Sequence, residues 1–255
     1  MNAMLVFLLI VVGFNLAMFV PAYKYKTDKL TDISYALSFI ALVLFAYAKS
    51  SGRWPHMLLV LMVVWWAARL GGFLFIRVQK KGKDARFDAM RSRPFAFLRF
   101  WLLQGVTVYV VLLSALFFFN TSDVRFSLLS LFGLIVFFSG LLLESVADWQ
   151  KWQFSNNKAT KGRWIDEGLW ARSRHPNYLG EMMVWSGVYI YVLPSLSGGY
   201  AFLGLISPMY IILLLLFVSG IPILEKAADA RWGKDKAYQA YKKRVPVLLP
   251  KFSKR

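Results

Sequence analysis

The sequence predicts an all-α fold: a polytopic membrane bundle of about seven transmembrane helices, amino terminus outside and carboxyl terminus in the cytoplasm. Three observations lead to it. Apolar residues make up 58% of the 255 positions, against roughly 45–50% in a typical globular domain. That surplus is gathered into seven long runs with few or no charges. The basic residues between the runs fall overwhelmingly on one side.

The runs are Met4–Tyr23, Ile33–Ala48, Met57–Val78, Phe95–Phe119, Phe126–Ala147, Tyr178–Leu196 and Tyr200–Leu224. Most reach the ~20 residues that cross ~30 Å of hydrocarbon, and the short second run extends back toward Leu30. Backbone groups in lipid must be satisfied within the segment, so these runs are helices. No basic residue precedes Met4–Tyr23 and no A-x-A-like site follows it, so it reads as a retained helix rather than a signal peptide.

Orientation follows from Lys and Arg. The connections Pro21–Asp32, Arg77–Arg93, Lys151–Arg174 and Lys226–Arg255 carry 3, 7, 6 and 10 basic residues. The opposite side has only Lys49, Arg53 and Arg125, while Arg69 and Arg99 lie within runs. The rich side is therefore cytoplasmic. The net charge of +18 reflects this topology and anionic lipid headgroups rather than nucleic acid, for which no motif is present. The chain has no cysteine and two histidines. Disulfides, thiol catalysis and Cys-based metal sites are excluded, and no metal centre is expected.

The outer connections are short, so a site has to be built on the cytoplasmic side. The connection Gln79–Pro94 reads as a basic surface loop with a helical turn. The tail from Glu225 reads as one helix, broken before Pro246. The whole chain, 1–255, is one integral membrane domain.

Several polar residues sit where lipid would penalise them. Glu144 and Asp148 are four apart near the end of the fifth run, with Lys151 and Trp152 continuing their face. Arg172, Arg174 and His175 directly precede the sixth run, where free N–H groups and the helix dipole favour an anion. Pro176 suits the first helical turn. Asn177 and Glu181 then share one face. Arg69 is embedded in WWAARLGGFLF, where Gly71-Gly72 permits close approach of a helix or a ligand. Gln104, in RFWLLQGVTVY, faces the bundle, either for an interhelical hydrogen bond or for a substrate. No G-x-G-x-x-G follows a strand and no P-loop is present, which excludes Rossmann and Walker sites.

GLWARSRHPNYLGE (168–181) resembles the signature of membrane-embedded sterol reductases and steroid 5α-reductases, and the tail YQAYKKRVPVLLPKF resembles the carboxyl end of sterol reductases. The likeness covers roughly the last 110 residues well and the first four helices loosely, and it fits the bacterial branch of the 5α-reductase superfamily best. The resemblance implies a cofactor side over 126–255 and a diverged substrate side over 1–125, in a bacterial inner (cytoplasmic) membrane. It implies NADPH, held by Glu144, Asp148, Lys151, Arg174, His175, Asn177, Tyr178 and Glu181, with Arg69 and Tyr241. It also implies hydride transfer to a carbon–carbon double bond conjugated to a carbonyl, in a lipophilic steroid- or isoprenoid-like molecule from the bilayer. No protein or nucleic-acid partner is inferred.

The substrate side departs from the family. Its Gln-Glu pair is replaced by GRWPHM, and Trp66 stands where a carbonyl-binding Tyr is usual. Catalytic groups are therefore sought at Tyr35, Trp66 and Gln104, with Asp32 and Tyr109 as other candidate donors, unless the substrate is no steroid enone. Isoprenylcysteine and phospholipid methyltransferases, which use S-adenosylmethionine, share an R-H-P-x-Y element and an R-V-P tail. Their paired tail Glu residues are reduced here to Glu225 followed by Lys226. A lipid-binding or scaffold protein that kept this architecture without the chemistry is the third reading.

Overall fold

The computed structural model describes residues 2–81, 90 and 93–250. Helix makes up 79% of it, and the described residues form no strand. The helices are α1 (Ala3–Lys24), α2 (Thr31–Ala48), α3 (Trp54–Lys81), α4 (Pro94–Val111), α5 (Leu113–Phe119), α6 (Leu128–Asn156), α7 (Pro176–Val192), α8 (Gly199–Gly204), α9 (Ile206–Leu213), α10 (Ile221–Trp232) and α11 (Lys236–Arg244). Among the described residues, six helical segments are long and apolar enough to cross a membrane: α1, α2, α3, α4, α6 and the stretch Gly199–Trp232.

The boundaries differ from expectation in instructive ways. The second helix begins at Thr31, as its extension toward Leu30 required. The run expected from Phe95 to Phe119 is interrupted at Leu112. The sixth run yields α7, 17 residues long, followed by a 3-10 turn, Leu193–Ser195. The run Tyr200–Leu224 is broken into α8, α9 and a π-helical turn, Leu214–Val218, and ends at Ser219-Gly220. The tail is two helices rather than one. Its break at Gly233-Lys234-Asp235 is sealed by Asp235, whose carboxylate accepts from the N–H groups of Ala237 (2.7 Å) and Tyr238 (3.4 Å), a side-chain N-cap. The helical turn expected in Gln79–Pro94 falls largely outside the described residues.

The chain forms two compact units. The first comprises Met1–Ser127 and Val192–Ser207. In it α1 packs on α4, and α2 packs on α3. Gly105 lets α4 close on α1, its missing Cβ position lying 3.3 Å from Val12 Cα. Across that contact runs a buried polar chain. Gln104 Nε2 donates to Asn15 Oδ1 (2.9 Å), and Asn15 Nδ2 donates to Val11 O (2.8 Å) and Ser38 Oγ (3.0 Å). Three helices thus satisfy each other's polar groups where lipid could not. Gly71 abuts Ala36 of α2, as expected of a close-approach residue, whereas Gly72 meets nothing within 4 Å.

The second unit comprises Leu128–Tyr191 and Pro208–Arg255. At 29 residues α6 rises about 44 Å, well beyond the roughly 30 Å of hydrocarbon. The connection expected to begin at Lys151 therefore starts only after Asn156. α6 and α7 meet backbone to backbone. A Cβ on Gly140 would lie 2.7 Å from Gly180 O, and one on Gly180 would lie 2.6 Å from Glu144 N. Two turns further along, a Cβ on Gly187 would lie 2.5 Å from Phe137 N, and Gly133 is pressed against Tyr191. Glycines seven apart on both helices make one continuous seam of the small-residue kind that membrane helices use.

Candidate functional site

The seam brings the polar turns of α6 against the start of α7. Asp148 and Asn177, on facing helices, are joined: Asn177 Nδ2 donates to Asp148 Oδ1 at 3.1 Å. Asp148 and Glu144 are buried on α6. Gly180 is the residue that makes this possible, because any side chain there would strike Glu144. Asn177, Gly180 and Glu181 of the N-Y-L-G-E element thus have distinct tasks: Asn177 pairs, Gly180 permits contact, and Glu181 lies half-buried on the same helix.

The segment between α6 and α7 folds back onto α6. Trp170, in the 3-10 turn Gly168–Ala171, is buried and its Nε1–H donates to Ala147 O at 3.0 Å. Gln150 Oε1 accepts from Leu169 N (2.9 Å), and Lys151 Nζ lies 4.4 Å over the Trp170 ring. Gly168 adopts φ +58°, and a Cβ there would also collide with Gln150. Left-handed backbone and crowding both demand glycine at this point.

Arg174 and His175 do not point at a free helix terminus. They converge on Glu225 of α10. Arg174 Nη2 lies 3.2 Å from Glu225 Oε2, His175 Nε2 is 2.9 Å from Oε1, and Lys242 Nζ is 3.2 Å from Oε2 and 2.7 Å from Asp229 Oδ1. Arg174 Nη1 also donates to the carbonyl of Lys242 at 3.1 Å. Burial works against the charge on Lys242, but its bonds to Asp229 and Glu225 outweigh that and raise its pKa. Burial lowers the His175 pKa; Glu225 opposes this, and Lys151 and Arg174 add to it. The His175 ring stacks on Tyr178, centroids 5.7 Å apart.

The tail is strapped to the same loop. Tyr241 Oη donates to Trp170 O (3.0 Å), Arg174 N donates to Pro246 O (3.0 Å) and Ser173 Oγ to Leu248 O (2.7 Å). Burial raises the Tyr241 pKa, so the phenol keeps its proton for that bond. Trp164, Trp232, Tyr238 and Val245 pack around it.

Of the residues expected at the site, Glu144, Asp148, Lys151, Arg174, His175, Asn177, Tyr178, Glu181 and Tyr241 all lie in the second unit. Arg69, Tyr35, Trp66 and Gln104 lie in the first. There Arg69 sits 6.0 Å from the Phe73 ring centroid. Phe39 joins Tyr35 (5.0 Å) to Trp66 (4.9 Å) by edge-to-face contacts. Gln104 makes the interhelical bond to Asn15. Asn15, Trp170, Lys242 and the Gly133, Gly140 and Gly187 seam are not among the residues the sequence singles out. Glu225 stands out in the sequence only as part of a tail pattern. The polar Asn15 within an apolar run, and glycines at a spacing of seven, were the available signals.

Two concave pockets are also present in the second unit. One, about 380 Å³, is lined by Asp229, Gly233, Tyr238, Gln239, Lys242 and Lys243. The other, about 340 Å³, is lined by Gln153, Phe154, Asn156, Asn157, Thr160 and Glu167.

A protein family described as a protein of unknown function, DUF1295, matches residues 18–245. No curated protein and no solved structure matches the chain. The match takes in both units and nearly all of the site just described, and on that ground the chain belongs to the DUF1295 family.

Proposed function

We propose that this protein is a membrane-embedded, NADPH-dependent reductase of a carbon–carbon double bond conjugated to a carbonyl, acting on a lipophilic steroid- or isoprenoid-like molecule drawn from the bilayer. The observation that carries this reading is the joining of Asn177 to Asp148 at 3.1 Å, with Glu144 one turn away and Lys151 further along the same helix. Carboxylates and an amide suit ribose hydroxyls and a carboxamide, and a cation such as Lys151 suits a phosphate. NADPH, when bound, supplies a hydride. The residues that would hold it are those of the second unit named above; Arg69, expected with them, belongs to the first unit. On the substrate side, the amide of Gln104 is engaged by Asn15 and Trp66 has no acidic proton. Tyr35 is therefore the nominated residue whose O–H suits the carbonyl oxygen.

The methyltransferase reading needs a carboxylate to face the sulfonium of S-adenosylmethionine. Glu225, the tail residue that would serve, is already engaged by Arg174, His175 and Lys242. This favours an anionic nucleotide over a cationic one.

The topology proposed with this function is seven spans, amino terminus outside and carboxyl terminus cytoplasmic, in a bacterial inner membrane. α7 rises about 26 Å and with its 3-10 extension approaches the bilayer thickness. The test is NADPH consumption by the purified protein against a panel of lipophilic enones. Enone-dependent oxidation that Tyr35→Phe slows by about 10²-fold or more is expected from loss of a proton donor. Methyl transfer from S-adenosylmethionine to a lipid acceptor, with no NADPH consumption, would replace this reading by the alternative.

A further inference from the structure

His175 Nε2 lies 2.9 Å from a Glu225 carboxylate oxygen, and an ionised carboxylate only accepts, so the proton is on Nε2. The other ring nitrogen, Nδ1, is buried and has no hydrogen-bond partner among the described residues. The whole residue is only 5% exposed. The charges around it already balance: Glu225 and Asp229 face Arg174 and Lys242. A proton on Nδ1 would add an uncompensated buried charge and an unsatisfied donor. Lys151, on the facing helix, adds positive potential of its own.

We propose that Glu225 is a positioning residue that fixes His175 as the Nε2–H tautomer and thereby presents Nδ1 as a hydrogen-bond acceptor to the ligand. The group it takes is an O–H or N–H donor, such as a sugar hydroxyl or a carboxamide, and not a phosphate. Arg174 is likewise held by Glu225 and the Lys242 carbonyl, so this corner of the site reads a hydroxyl or amide while phosphates are left to other cations. The tautomer follows from the geometry alone; the identity of the ligand rests on the reductase reading.

Nitrogen-15 histidine spectra of the full-length protein in detergent test both parts. The chain has only two histidines, and His175→Gln assigns the signals. Without nucleotide at neutral pH, His175 should show a protonated Nε2 and a bare Nδ1. A protonated Nδ1 overturns the proposal. Glu225→Gln should mix the tautomers, since an amide donates as readily as it accepts, and should weaken NADPH by up to about tenfold, the worth of one neutral hydrogen bond. Lys242→Met leaves the Glu225–His175 bond in place and should keep Nδ1 bare; a lost or mixed tautomer there overturns the proposal, as does an unmixed one in folded Glu225→Gln. On NADPH saturation the Nδ1 signal should move toward the protonated range, and an unmoved signal with bound NADPH removes the acceptor role. If NADPH does not bind at all, the reductase reading fails, and the ligand-free spectra still decide the positioning role.

Discussion

His175 shows how burial and neighbouring charges set the chemistry of a single residue. Burial lowers its pKa below that of a free imidazole, with Glu225 opposing and Lys151 and Arg174 reinforcing. The unfolded chain therefore takes up a proton at higher pH than the native one. Between the unfolded value of about 6.5 and the lower native value, the unfolded state binds more protons, so stability rises with pH there. Above about 6.5 both states are neutral and this group contributes no pH dependence. The melting temperature should accordingly fall as pH drops from 7.5 toward 5.5, and His175→Gln should flatten that fall. A wild-type profile that rises on acidification would mean that Glu225 outweighs burial. The histidine, Arg174 and Asn177 were legible in the sequence as chemistry-bearing residues at a helix entry. Their contacts were not, because Glu225 and Lys242 lie 50 and more positions away and no local spacing announces the pairing.

At the scale of elements, the close crossing of α6 and α7 is what makes a site of these side chains. Gly180→Ala would force a Cβ to within 2.6 Å of Glu144 N. Overpacking of this kind costs typically 1–3 kcal/mol, and here it would also part Asn177 from Asp148. Gly72 lies inside α3 with nothing within 4 Å, so Gly72→Ala should be neutral or gain up to about 1 kcal/mol from helix propensity. Thermal melts of the two variants check this: a Gly180→Ala protein as stable as Gly72→Ala would show that the helices do not touch as described. The helices themselves were readable from apolar runs, and most ends fell within a few residues. The breaks at Leu112, Leu205 and Gly220 were not, since a run of apolar residues looks the same whether it is one helix or two. The Gly233-Lys234-Asp235 break carries a readable cap in Asp235, but the Ala and Lys content of the tail by itself favours one continuous helix.

For the whole molecule, the charge asymmetry is the strongest evidence for orientation, since 26 of 31 basic residues lie in connections assigned to one side. The cysteine-free chain makes the check direct. Ser122→Cys should label from outside, and Asn157→Cys, which follows α6, only from the cytoplasm. Labelling of both from the periplasm would invert or break the proposed arrangement. Membership of the DUF1295 family extends over residues 18–245, but a family of unknown function carries no chemistry with it, so any activity is a proposal argued from the side chains. What that site offers is an amide, carboxylates, cations paired through Glu225, and a histidine whose Nδ1 has no hydrogen-bond partner among the described residues.

Calorimetric titration of the purified protein with NADPH, NADH and S-adenosylmethionine tests the central claim most directly. The predicted result is binding of NADPH, with NADH weaker by about 10- to 100-fold, because a lost charge-assisted contact to the 2′-phosphate is worth roughly 1.5–3 kcal/mol. Binding of S-adenosylmethionine with no response to either nicotinamide nucleotide would contradict the account.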